Sequence, residues 1–248
     1  MNEEKLKEIF RNWYPLVETF FKSAEYEALL NFLKQRVAAG AEITPAKKDI
    51  FNAYKCPGPS HVKVVLLGQD PYPHEHAHGL SFSTLSQTHI PASLNNIFKQ
   101  LDIEYRDKLP TGYVPENDLT RWTIQDVLLL NTVLTAEKGR AGAHLNKGWE
   151  ALTSQTLVNL IKANFKPRIV FILLGKKAQD FIATQVEPHL TPQEISRICK
   201  LETSHPSPYS ANSGFIGSNI FTECNKKLVE SGEEPIDWIG SISDVLPF

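Results

Sequence analysis

The chain has 248 residues, 42% apolar and 22% charged, a balance that supports a packed core and excludes a disordered or collagen-like chain. Its net charge of −2 argues mildly against a partner held by bulk positive charge, so a nucleic-acid partner needs a local site. No apolar run approaches the roughly 18–20 residues of a membrane span, and the opening MNEEKLKEIFRNW has no signal-peptide core.

In chain order, Leu6, Ile9, Phe10 and Trp13 recur at helical spacing and predict a first helix. A second runs through Tyr26, Leu29, Leu30, Phe32, Leu33 and Val37, with its end expected near Gly40. Thr44-Pro45 reads as a helix start, followed by an apolar face at Ile50, Phe51 and Tyr54. The run 62–67 is β-branched and stopped by Gly68, the pattern of a buried strand. The runs 127–130, 169–174 and, more weakly, 198–201 repeat it, and helical stretches at 94–101, 149–161 and 178–182 lie between them. This alternation predicts a parallel sheet covered on both faces. Ligands bind such sheets at the carboxyl ends of the strands. Cys56, Cys199 and Cys224 include no CxxC pair, which disfavours a disulfide framework or a Cys-rich zinc site and suits a reducing, cytoplasmic compartment.

Polar clusters follow all four strands: Gly68-Gln69-Asp70-Pro71-Tyr72, Asn131-Thr132, Gly175-Lys176-Lys177 and Ser204-His205-Pro206-Ser207-Pro208. They predict a functional cleft. Asp70 reads either as a turn-capping residue or as a carboxylate available to oppose a cation or orient water. His205, pinned between prolines, is either a structural donor or a neutral imidazole that bonds a developing oxyanion. Asn131 ends an apolar run and is either a core amide or one that presents donor and acceptor to a planar edge. Phe82, in a Gly/Ser-rich loop, is core or a stacking surface for a flat ligand. His74, His76 and His78 alternate, which raises a metal site on one side of an extended segment, but no HExxH or Cys partner supports it. Gly175-Lys176-Lys177 lacks the spacing of a phosphate loop.

The segments Gly68-Gln69-Asp70-Pro71-Tyr72, Leu128 to Thr135 and His205-Pro206-Ser207-Pro208 resemble the three signature segments of family 1 uracil-DNA glycosylases. Ala77 to Ser83, Lys147-Gly148-Trp149-Glu150 and Pro235-Ile236-Asp237-Trp238 extend the likeness over about 43–238. The resemblance implies one α/β/α domain over 1–248, with a central four-stranded parallel sheet and 1–42 as its helical N-terminal part. It implies a monomer that needs no metal or organic cofactor and cuts uracil from DNA, single- or double-stranded. Asp70 would oppose the cationic sugar and place water, and His205 would bond the uracil oxygen that gains charge. Asn131 would read the uracil edge, Phe82 would stack on its face, Tyr72 would exclude a thymine methyl, and Gln69 would line the pocket through its backbone. Pro91, Ser93, Gly175, Lys176, Ser207 and Ser210 would grip phosphates, and Tyr209 would enter the gap left by the flipped base.

Three positions depart from the family pattern. Pro73 stands where a His usually follows the Gln-Asp-Pro-Tyr segment, which predicts a reduced rate. Tyr209 replaces the usual Leu wedge, which predicts weaker inhibition by the family's uracil-mimicking phage inhibitor proteins. Lys176 replaces a Ser and adds a charge for phosphate. A non-catalytic DNA-binding module of the same fold is the rival reading. Pro73 is its support, and the joint presence of Asp70, Phe82, Asn131 and His205 counts against it.

Overall fold

The structure is a computed structural model that describes residues 2–74, 76–109 and 111–240. Among them, helices α1 (Glu3–Phe10), α2 (Tyr14–Phe21) and α3 (Ala24–Ala38) precede the short strand β1 (Ile43–Thr44) and the first sheet strand β2 (Val64–Gly68). Then come α4 (Ala92–Tyr105), α5 (Thr120–Thr123), β3 (Val127–Asn131), the short β4 (Ala136–Glu137) and α6 (Trp149–Ala163). The chain continues through β5 (Ile169–Leu174), α7 (Lys176–Phe181), α8 (Pro192–Ile195), β6 (Ile198–Thr203) and α9 (Ile220–Glu230).

Four strands form one parallel sheet in the order β3-β2-β5-β6, flanked by helices, as the alternating pattern predicts. Every residue of β2, β3 and β5 is buried, which explains their unbroken apolar runs. The weaker pattern of β6 has its own cause. Like β3 it is an edge strand, but unlike β3 it is only partly buried, and Lys200 and Glu202 turn to solvent. One apolar cluster runs from Leu6 through the sheet to Ile239, with Trp13, Trp122, Trp238, Phe171 and Phe221 almost fully enclosed.

Register places the site. Gly68 stands opposite Asn131, and Leu174 opposite Thr203, so the four polar clusters begin at one level of the sheet.

Three expectations are corrected. The first helix ends at Phe10 because Arg11 takes φ 46°, and a 3-10 turn leads into α2. Thr44-Pro45 starts no α-helix. Thr44 pairs with Ala136 in a two-stranded ladder, and its hydroxyl donates to the His74 carbonyl (2.9 Å) rather than capping a helix, so a turn and the 3-10 segment Asn52–Tyr54 follow. The three alternating histidines do not share a side: His74 and His76 are exposed, while His78 is buried against the Ser83 hydroxyl (2.7 Å). No helix among the described residues is long and apolar enough to cross a membrane.

Candidate active site

The segment after β2 is tied to the end of β3. The Gly68 carbonyl accepts from the Thr132 amide (2.9 Å), and the Gln69 carbonyl accepts from the Val133 amide (2.9 Å) and the Thr132 hydroxyl (2.8 Å). Gln69 was expected to act through its backbone. Its side chain also works, donating from Nε2 to Asp70 Oδ1 at 2.8 Å. Asp70 Oδ2 accepts from the backbone N–H of Gly142 at 2.6 Å. Two donors, one on each oxygen, hold a partly exposed carboxylate in one orientation.

Asn131 is 3% exposed, yet its side-chain amide has no hydrogen-bond partner among the described residues. Its Oδ1 lies over the Cα of Gly68: a Cβ there would come within 2.2 Å of it. An amide in this position keeps a donor and an acceptor available to a ligand edge.

Phe82 faces the other side of the cleft, half-buried, with φ 60°, a rare conformation for an aromatic residue. Its neighbours enforce it. The Ser81 amide donates to Leu129 (3.2 Å) and its hydroxyl to Leu66 (3.0 Å), while Ser83 Oγ accepts from the Leu119 amide (2.8 Å). The Tyr72 hydroxyl donates to the Phe82 carbonyl (3.2 Å), and burial raises the Tyr72 phenol well above its usual range, keeping it a neutral donor.

The ring of His205 lies 6.1 Å from that of Phe82. Its Nδ1 accepts from the Ser207 amide at 3.0 Å, so in the neutral ring the proton sits on Nε2 and is free to be donated. Burial first, and the nearby Lys177 charge second, push its pKa below the ordinary histidine value, which favours that neutral form. Gly175 permits the close approach: at φ 91°, a Cβ there would meet the His205 Cβ at 2.6 Å.

The loop beyond His205 is braced internally. Ser210 Oγ donates to the His205 carbonyl (2.8 Å) and pairs with Ser207 Oγ (2.9 Å), Ser204 Oγ donates to the Ser210 carbonyl (2.8 Å), and Asn96 of α4 donates to Pro206 (2.8 Å). Pro91 and Ser93 begin α4, so this last bond joins the two loops expected to hold phosphates. Tyr209 projects from the braced loop with 98% of its surface exposed. Lys176 is also exposed and ion-paired with Asp180 at 2.7 Å. Sequence reasoning missed Gly142 and Asn96, and it named Ser81 and Ser204 only within their segments, with no role for either. Ser81 had a signal as the residue before Phe82 in a Gly/Ser-rich loop, and Ser204 as the first residue of the polar cluster after the fourth strand.

A buried amide, an aromatic ring, a fixed carboxylate and a neutral imidazole donor suit a flat, uncharged, hydrogen-bonding ring that gains negative charge as it leaves.

Comparison with known proteins gives this chemistry its family. A family model described as the uracil DNA glycosylase superfamily matches residues 57–229. The uracil-DNA glycosylase of Geobacillus kaustophilus is 43% identical over 230 residues, covering 92% of this chain and 93% of the relative. That of Lactobacillus acidophilus is 42% identical over 236 residues, covering 94% of both chains. Among solved structures, mimivirus uracil-DNA glycosylase superposes with a TM-score of 0.82 at 24% identity, covering 94% of this chain and 88% of that one. A mimivirus UNG carrying a tyrosine substitution, solved in complex with UGI, superposes equally well at 23% identity over 94% of this chain and 90% of its own. On these matches, the chain belongs to the uracil DNA glycosylase superfamily.

Proposed function

We propose that this chain excises uracil from DNA, with Asp70 and His205 as its catalytic pair. The C1′–N1 bond breaks and its electron pair leaves with uracil. Water adds to C1′ and loses a proton, the departed uracil anion gains one, and an abasic site remains. The Asp70 carboxylate opposes the positive charge on the sugar and orients the water. The His205 Nε2–H bonds the uracil oxygen that gains charge, a preorganised contact whose removal typically costs on the order of 10²–10³ in rate. Asn131 reads the uracil edge through an amide with no partner among the described residues, Phe82 stacks on the face, and Tyr72 bars a thymine methyl. The observation that carries this reading is the Ser207 bond to Nδ1, which leaves His205 neutral with its donor on the other nitrogen.

The target base flips out of the stack to enter, at a cost of a few kcal/mol. Pro91, Ser93, Gly175, Lys176, Ser207 and Ser210 hold the flanking phosphates, and Tyr209 fills the gap in the duplex. Hydroxyl and backbone contacts of this kind hold phosphate without a basic surface, which reconciles the net charge of −2 with a DNA partner. The chain works as a cytoplasmic monomer, one domain over 1–248. A uracil-mimicking inhibitor that grips an apolar wedge binds Tyr209 weakly.

The test is release of free uracil from a single-stranded oligonucleotide carrying one uracil, with chelator present. Native protein releases uracil and Asp70→Asn nearly abolishes release. A native chain that binds the DNA but releases nothing is the non-catalytic module instead.

A further inference from the structure

We propose that the buried Glu137, forked by Arg36 and Arg140, is a positioning residue for Asp70. This rests on Asp70 acting as the carboxylate of the excision site. The turn from Glu137 to Gly142 meets the Asp70 segment at two points. Gly142 donates to Asp70 Oδ2 at 2.6 Å, and the Gly139 amide donates to the Pro73 carbonyl at 2.8 Å. The location of one Asp70 oxygen therefore follows the backbone of this turn.

The turn is held from behind by charge. Glu137 is 5% exposed. Its Oε1 accepts from Arg36 Nε at 2.6 Å and its Oε2 from Arg36 Nη2 at 3.2 Å, a two-pronged fork of fixed geometry. Arg140 Nη1 reaches Oε2 at 2.8 Å, and the Arg140 amide closes the turn on the Glu137 carbonyl at 2.9 Å. His144, fully enclosed, stands 3.6 Å from Oε1. The Arg36 hydrogen bond outweighs burial and holds the Glu137 carboxyl down at about 2, so it is charged wherever the protein is folded near neutral pH.

A buried ion pair is a poor device for stability, because apolar residues of the same volume often serve as well or better. It is a good device for fixing a register. Here the register it fixes is that of the donor on Asp70. Arg36 lies on α3, outside the residues 57–229 matched by the family model, so an N-terminal helix helps to set the geometry of the site. Pro73, whose carbonyl the turn engages, is also where the family pattern is broken.

The experiment pairs single-turnover uracil excision with binding of an uncleavable oligonucleotide carrying 2′-fluorinated deoxyuridine, on the full chain. Displacement of a reacting group by about 1 Å costs up to roughly 100-fold. Glu137→Gln is therefore expected to slow excision on the order of 10- to 100-fold while binding stays within about threefold. Arg36→Lys keeps the charge, loses the fork and is expected to lose less than Arg36→Met. It also supplies the measurement if Glu137→Gln does not fold. An unchanged rate overturns the proposal. So does a parallel fall of rate and binding, which marks a merely structural residue. Asp70→Asn separates the two ideas: native cleavage by Asp70→Asn defeats the reading of the site itself, whereas an inactive Asp70→Asn beside a fully active Glu137→Gln defeats positioning alone.

Discussion

Gly68→Ala isolates the reading of the base edge. The φ of Gly68 lies outside the left-handed region, so space is the only obstacle to a side chain. An alanine Cβ would stand 2.2 Å from Asn131 Oδ1 and 2.8 Å from the Ser81 Cβ. Ser81 cannot retreat, because its amide is bonded to Leu129 and its hydroxyl to Leu66, on the adjacent strands β3 and β2. The amide of Asn131, with no partner among the described residues, must move instead, by roughly 1 Å, to restore ordinary contact. Its move costs little stability, and the crowding against Ser81 adds about 1–3 kcal/mol of overpacking. A well-aimed bidentate amide contact is worth about 1–3 kcal/mol, so kcat/KM for uracil in single-stranded DNA should fall roughly 10- to 100-fold. The assay is steady-state uracil release by Gly68→Ala, Asn131→Ala and the double variant. If the glycine acts through Asn131, the double variant is no worse than Asn131→Ala alone. Losses that multiply, or a Gly68→Ala enzyme of native activity, would refute the reasoning.

Three further outcomes follow from the site. Burial and the Lys177 charge hold His205 below its ordinary pKa, which favours the neutral ring at pH 7; protonation at acid pH would set an Nδ1–H against the Ser207 amide and disrupt the loop. Excision should hold from pH 8 through the ordinary histidine range and fall only at more acid pH, and the imidazole nitrogen resonances at pH 7 should show hydrogen on Nε2 alone; a doubly protonated ring at pH 7 would end this account. Lys176→Ser should reduce the salt slope of DNA binding by about one, and an unchanged slope removes Lys176 from the phosphate contacts, leaving it only its Asp180 partner. Tyr209→Leu should tighten inhibition by a uracil-mimicking inhibitor protein in a titration of activity, and native chain that already titrates tightly at one-to-one would contradict the assigned effect of the tyrosine.

The sheet was legible because β2, β3 and β5 are buried on both faces and cannot tolerate a polar residue until they end. The same rule located Asp70, Asn131 and His205, since polarity returns abruptly where the strands stop. Boundaries set by backbone geometry were less visible. Nothing in the residues around Arg11 announces its positive φ, and Thr44 is diverted from capping by a carbonyl thirty positions away. Least legible were supports assembled across the chain: Arg36 and Glu137 are 101 positions apart, and Gly142 acts through a backbone N–H that any residue but proline possesses.

Phe82 carries one more consequence. A bulky residue at φ 60° stores about 1–3 kcal/mol, sustained by the contacts of Ser81 and Ser83 on either side. That energy is committed during folding, so the ring already has its final plane when a base arrives. In the proposed stacking role of Phe82, the loss of freedom that stacking would otherwise demand has been transferred from the encounter to the synthesis of the fold. A short-lived extrahelical base thus meets a surface with no rearrangement left to make, and the time it must spend outside the duplex is correspondingly brief.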